Sequence, residues 1–311
     1  MKTFDLTPFI RCMDENEVNL FGIAILQGND VIARYRWTED VPHQLYSMSK
    51  SYTAMAVGIA ISEGCFGLDD KLVDLFPEHT PSDVHPYKAV TTVRHLLTMS
   101  AGHDNPLLLG RRAEEKTNDQ FKEVEDPDWV RAFMSAAPDR APGEKFVYDS
   151  GCTYLLSRLI SKYTGQDLLE YLDERLFPYL GIPTSEWDRC PAGYPLGASG
   201  LHLRTEDSLA FGRMLLDGGK YNGRQLVPAE WVKEATTFKI RTDDAGFFPD
   251  KSLGYGYQFW MARHDCYRAS GAATQGCFVI PYKDAVICYN GNTGKMQLLL
   301  EKLWELVIPN L

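Results

Sequence analysis

Two strand-like apolar runs open the chain, Phe21–Gln27 and Val31–Trp37, and Gly28-Asn29-Asp30 between them has the composition of a tight turn. The pattern predicts a β-hairpin. Met48, Tyr52, Met55 and Ile59 then recur at helical spacing, so a helix is expected from about Ser47 to Glu63, with Gly64 closing it. Shorter helices are expected over Val93–Met99, Cys152–Thr164 and Leu168–Phe177. Gly165 separates the last two and Pro178 stops the second. Thr205 has the chemistry of an N-cap for a helix running to Leu216, closed by Gly218-Gly219. Near the C-terminus the pattern returns to β character over Tyr255–Ala262, Gly276–Pro281 and Ala285–Asn290. A final amphipathic helix, Met296–Val307, ends before Pro309. Strands at both ends with helices between them imply an antiparallel sheet built from both termini, interrupted by a helical insertion. His103–Arg140 is rich in charge and weak in periodicity, and reads as a flap or a substrate-facing loop, in which His103 and Trp129 either line a cleft or face solvent.

Composition narrows the classes. With 311 residues, 44% hydrophobic and 24% charged, the chain is an ordinary globular one, long enough to be stable without disulfides or metals. The net charge is -10 and the densest basic cluster is only Arg111-Arg112, so neither nucleic acid nor an anionic membrane surface is expected as a partner. Seven cysteines with no C-x-x-C read as free thiols in a reducing compartment. Met1–Thr7 lacks the apolar core of a signal peptide, and Ala54–Ile61 is too short to span a bilayer, so a soluble cytoplasmic protein is expected. No G-x-S-x-G elbow, dinucleotide loop or P-loop occurs, and the seven histidines show no metal-binding spacing.

The chain has one Ser-x-x-Lys, at Ser47 and Lys50. A serine at a helix N-terminus sits where free N–H groups favour developing negative charge. A lysine three residues on lies on the same face, and burial can depress its pKa until it works as a base. Taken alone, the pair equally fits an N-cap followed by a solvated lysine. Tyr148, after Pro142-Gly143-Glu144 and just before a helix, can act as a general base if a cation stabilises its phenolate; alone it is also an ordinary loop tyrosine. Ala269-Ser270-Gly271 lies on a β segment whose glycine lets a substrate approach, and the N–H of Ala272 can complete an oxyanion hole with that of Ser47. Gly197-Ala198-Ser199-Gly200-Leu201 is a further tight turn.

In this order the motifs resemble the serine β-lactamase and penicillin-binding protein superfamily, specifically the class C β-lactamase-like serine hydrolases. The matching text is Tyr46 to Thr53, Thr92 to Gly102, Pro142 to Tyr148, the Gly197–Leu201 turn with its following helix, and Val227 to Trp231, spanning about residues 20 to 295. The resemblance implies an α/β (α+β) fold of β-lactamase/transpeptidase type. An antiparallel sheet flanked by helices would come from 1–65 and 206–311, and a mainly helical subdomain from 66–205, with the active site between them. It implies Ser47 as acylated nucleophile, Lys50 and Tyr148 as a shared proton shuttle, and the N–H groups of Ser47 and Ala272 as oxyanion hole. Ser150, Ser270 and Gly271 would face the substrate, and no metal or organic cofactor is implied.

Two positions depart from the family pattern. The second motif, usually Tyr-x-Asn, has Ser150, whose hydroxyl reaches less far than a carboxamide. The third, usually begun by Lys or His, has Ala269, which removes a charge-assisted hydrogen bond of roughly 1.5–3 kcal/mol. The implied activity is therefore that of the esterase and 6-aminohexanoate-dimer hydrolase branch, on a small ester or amide more than on a β-lactam. The alternative is a catalytically retired ligand-binding or scaffold protein that keeps the fold.

Overall fold

In a computed structural model the chain is described over residues 4–106, 128–183, 185–243 and 248–311. The centre of the expected flap, 107–127, lies outside the described residues. His103 and Trp129, on its flanks, do not face solvent. His103 and Trp129 are 4% and 3% exposed, His103 bonded to the buried Lys88 and Trp129 set edge-on against Tyr154.

Six strands form one antiparallel sheet: β1 Leu20–Gln27, β2 Asp30–Arg36, β3 Trp260–Met261, β4 Tyr267–Gly271, β5 Gln275–Ile280 and β6 Ala285–Gly291. Their order is β2-β1-β6-β5-β4-β3. The two ends of the chain therefore meet at the β1–β6 pair, with Ile23 opposite Tyr289 and Ile25 opposite Ile287. Side-chain alternation divides the buried residues between two faces. Ile25, Phe278 and Ile287 point to the terminal helices Thr7–Glu15 and Met296–Lys302, which contribute Phe9, Met13, Leu299 and Leu300. Ala24, Cys277 and Val286 join the opposite core with the helices Ser49–Ser62 and Asp207–Leu216.

The helix Ser49–Ser62 is buried from Ser49 through Ala60. It is a central helix covered on all sides, not an amphipathic one with a single apolar stripe. Its small residues permit close neighbours: a Cβ on Gly58 would stand 2.1 Å from the Trp231 indole, whose N–H donates to the Ala54 carbonyl at 2.9 Å. The helix Ser150–Thr164 begins at Asp149, whose carboxylate accepts the Gly151 N–H at 2.7 Å, and ends at Gly165 with φ +75°.

Three elements differ from the sequence expectation. The strand expected over Tyr255–Ala262 is confined to Trp260–Met261, because Gln258 adopts a left-handed φ of +66° that no strand continues through. Pro178 does not end the helical path: Leu168–Arg175 stops earlier, and the proline sits in the first turn of a further short helix, Phe177–Leu180. Thr205 is not the N-cap of the following helix; Glu206 holds that position without a side-chain cap, and the Asp207 carboxylate accepts the Arg204 N–H at 3.0 Å. No helix among the described residues is long and apolar enough to cross a membrane.

Candidate active site

Ser47 lies in a single 3-10 turn, Tyr46–Met48, immediately before the central helix. Tyr46 has φ +47°, a region costly for a residue with a Cβ, so the turn carrying Ser47 is held in a strained conformation by its surroundings. One of these is β4. A Cβ on Gly271 would stand 2.1 Å from the Leu45 carbonyl and 3.1 Å from the Met48 nitrogen. Only glycine lets the strand lie this close to the serine turn.

Lys50 is 1% exposed, in the first turn of the central helix. Its ammonium donates to Ser47 Oγ at 3.2 Å, to Ser150 Oγ at 2.7 Å and to the Ala198 carbonyl at 2.7 Å. It also lies 5.0 Å from the centroid of the Tyr148 ring. Burial pushes this amine down to about 7. The negative charge of Asp149 opposes that shift, and the positive charge of Lys251 adds to it. Tyr148 is half-buried and makes a hydrogen bond with Ser47. Burial raises its phenol above the ordinary tyrosine value, and the bond to Ser47 only partly offsets this. Near neutral pH the Lys50 ammonium therefore coexists with its neutral amine, while the phenol stays protonated.

Of the residues singled out in the sequence, Ser47, Lys50, Tyr148 and Ser150 converge directly. Gly271 abuts the serine turn from β4. Ser270, beside it, is 4% exposed, and its hydroxyl has no hydrogen-bond partner among the described residues. Ala272 follows at the exposed start of the β4–β5 turn, where Ala273 and Thr274 take left-handed φ values of +53° and +71°. Ala269 is buried on β4 opposite Cys277 and brings no charge to the site.

Other contributors reach the site from elsewhere in the chain. The turn at 197–201 supplies a backbone carbonyl, Ala198, to Lys50, and Gly197 allows it because a Cβ there would lie 2.7 Å from Ser157 Cβ. Trp260 stacks on Tyr148 with ring centroids 5.7 Å apart. Asp149, the helix cap, also acts electrostatically on a second buried lysine, Lys88, which burial lowers to about 7 and which lies 2.9 Å from His103 Nε2.

The model of the family described as Beta-lactamase matches residues 11–306. The 6-aminohexanoate-dimer hydrolase of Paenarthrobacter ureafaciens is 28% identical over 283 residues, covering 85% of this chain and 70% of the relative. The lovastatin esterase of Penicillium rubens is 26% identical over 193 residues, covering 56% of this chain and 46% of that protein. The fold is shared with the octameric penicillin-binding protein homologue from Pyrococcus abyssi, at a TM-score of 0.74 and 20% identity, over 98% of this chain and 76% of that one. The chain belongs to the beta-lactamase family, within the superfamily of serine hydrolases and penicillin-binding proteins.

Proposed function

We propose that this protein hydrolyses small esters or amides through an acyl-enzyme on Ser47. The observation that carries the reading is the Lys50 amine, brought to about 7 by burial and held 3.2 Å from the Ser47 hydroxyl. A neutral amine at that distance accepts the hydroxyl proton as Oγ attacks the substrate carbonyl. The N–H groups of Ser47 and Ala272 receive the developing oxyanion. When the tetrahedral species collapses, the carbonyl–leaving-group bond breaks and the Tyr148 phenol gives its proton to the leaving atom. Lys50 then returns the serine proton to Tyr148. Water attacks the acyl-enzyme by the reverse use of the same groups, and Ser47 regains its proton.

The departure at Ser150 supports turnover over a retired scaffold, because its hydroxyl still receives a hydrogen from Lys50 at 2.7 Å. The uncharged Ala269 supports esters and short amides over β-lactams, as does the similarity to an aminohexanoate-dimer hydrolase and to an esterase. The reading also retains the division of the chain into a sheet-bearing part, 1–65 with 206–311, and a helical part, 66–205, with the site between them.

The test is hydrolysis of p-nitrophenyl acetate by the wild type, Ser47→Ala and Lys50→Met. Loss of at least about 10³-fold in kcat/KM is expected for both variants, the scale of removing a nucleophile or its base. Undiminished hydrolysis by Ser47→Ala overturns the assignment.

A further inference from the structure

The β4–β5 connection, Ala272 to Thr274, is a strained turn. Ala273 and Thr274 take φ values of +53° and +71°, and Thr274 is β-branched. A hairpin loop of three residues ordinarily places glycine in the left-handed region. Alanine and threonine persist there only where their surroundings hold them. Two ties run to the residue pair just beyond β6. Thr274 Oγ1 donates to the Thr293 carbonyl at 2.8 Å, and the Thr293 N–H donates to the Ala273 carbonyl at 3.3 Å. The third tie is Gln275. Its amide nitrogen donates to the Ala273 carbonyl at 3.3 Å and to the Gly291 carbonyl at 2.7 Å, and its Oε1 accepts from Asn290 Nδ2 at 2.6 Å.

Gln275 and Asn290 are 1% and 2% exposed. The two backbone carbonyls can only accept, so the Gln275 nitrogen must face them and its oxygen must face Asn290. The carboxamide cannot turn over without setting oxygen against oxygen. Asn290 is itself fixed within the sheet, on β6 opposite Gly22 of β1. Gln275 also packs toward the serine turn. It pairs with Gly271, and a Cβ on that glycine would stand 3.2 Å from Gln275 Cβ as well as 3.1 Å from the Met48 nitrogen. One buried side chain therefore holds the turn that carries Ala272 and lies against the glycine that seats β4 beside Ser47.

We propose that Gln275, oriented by Asn290, is a positioning residue for acyl transfer: it holds the Ala272–Thr274 turn so that the N–H groups of Ala272 and Ser47 meet at one oxyanion. The inference rests on the reading of Ser47 as nucleophile with those two N–H groups as its oxyanion hole. Such donors act by being fixed before the charge develops. Acylation and deacylation both pass through an oxyanion at this point. Loosening the turn therefore slows both steps together and leaves KM nearly unchanged.

The experiment measures kcat and KM for p-nitrophenyl acetate, and the inhibition constant of phenylboronic acid, in wild type, Gln275→Met and Asn290→Ala. Methionine keeps the length of glutamine and removes its hydrogen-bonding atoms. The boronate bonds to a serine oxygen as a tetrahedral anion, so its affinity reports the oxyanion site without turnover. Gln275→Met is expected to lower kcat by at least about 10-fold, short of the roughly 10²–10³-fold for losing a donor outright. KM is expected to stay within about threefold, and boronate inhibition to weaken by a factor similar to that in kcat. An unchanged kcat overturns the inference. So does a lower kcat with boronate affinity retained, the mark of a merely structural role. If Gln275→Met does not fold, Asn290→Ala, which strips the Gln275 oxygen of its donor, is read the same way, and wild-type values of both quantities overturn the inference. Ser47→Ala is run beside these. If it hydrolyses the ester like the wild type, the nucleophile reading fails, a result distinct from an unchanged Gln275→Met.

Discussion

Gly271 and Leu45 meet so closely that a single added methyl on the glycine would stand 2.1 Å from the Leu45 carbonyl oxygen. This contact seats β4 against the turn that presents Ser47. A Gly271→Ala variant must push the strand away from the serine turn, moving the Ala272 N–H relative to that of Ser47. The expected outcome is a fall of about 10²-fold in kcat, the scale of a small misplacement of reacting groups. Circular dichroism is expected to remain native, because the sheet itself keeps its pairing.

On the proposed mechanism the depressed Lys50 amine sets the pH dependence. With its neutral form as the proposed base, kcat/KM is expected to rise as pH increases through about 7. The charges acting on it are Asp149, which raises its pKa, and Lys251, which lowers it. Lys251→Gln is therefore expected to move this acidic limb to higher pH, read from a pH–rate profile on a neutral ester. A profile flat from pH 5 to 9 is inconsistent with Lys50 as the base.

Ser150 receives one of the three hydrogens that Lys50 donates. Ser150→Ala deletes that acceptor and leaves the amine held by Ser47 and Ala198 alone. A lost hydrogen bond of about 1 kcal/mol corresponds to roughly a fivefold drop in kcat/KM. Ser150→Asn, which again offers an acceptor, is expected to retain more activity than Ser150→Ala.

Stability follows from the same buried amines. Lys50 and Lys88 are lowered to about 7 and Lys251 to about 8, against 10.5 for the unfolded chain. Above pH 7 the unfolded state thus binds more protons than the folded state, and stability increases with pH. Buried thiols such as Cys152 and Cys266 are shifted the other way, above the ordinary thiol value, so the folded state retains protons that the unfolded state loses in stronger alkali. Thermal unfolding is expected to be most resistant near pH 8–9, with the midpoint falling toward pH 6 and again above pH 10. Lys88→Met is expected to flatten the rise between pH 7 and 8.5.

Much of this arrangement was legible in the sequence because it is local or carried by contiguous motifs. The hairpin Phe21–Gln27 and Val31–Trp37, the C-terminal strands and the Ser47–Lys50 spacing all depend on near neighbours in the chain. Ser47, Lys50, Tyr148 and Ser150 could be read together because they stand in recognisable family order. The remainder depends on distance in space. Gln258 breaks an apolar run by adopting φ +66°, sustained by its bonds to Thr153, Leu96 and Leu97 in the folded core. Nothing around Trp260 in the sequence marks it for a site, and only the fold stacks it on Tyr148. Lys251, which acts electrostatically on Lys50, is 201 positions away from it in the chain.

The central claim is that Ser47 is an activated nucleophile, and intact-protein mass spectrometry after incubation with a fluorophosphonate tests it most directly. One phosphonyl adduct is expected on the wild type, at a rate that increases with pH through about 7, and none on Ser47→Ala. Equal labelling of both proteins, or no labelling of the wild type, contradicts it.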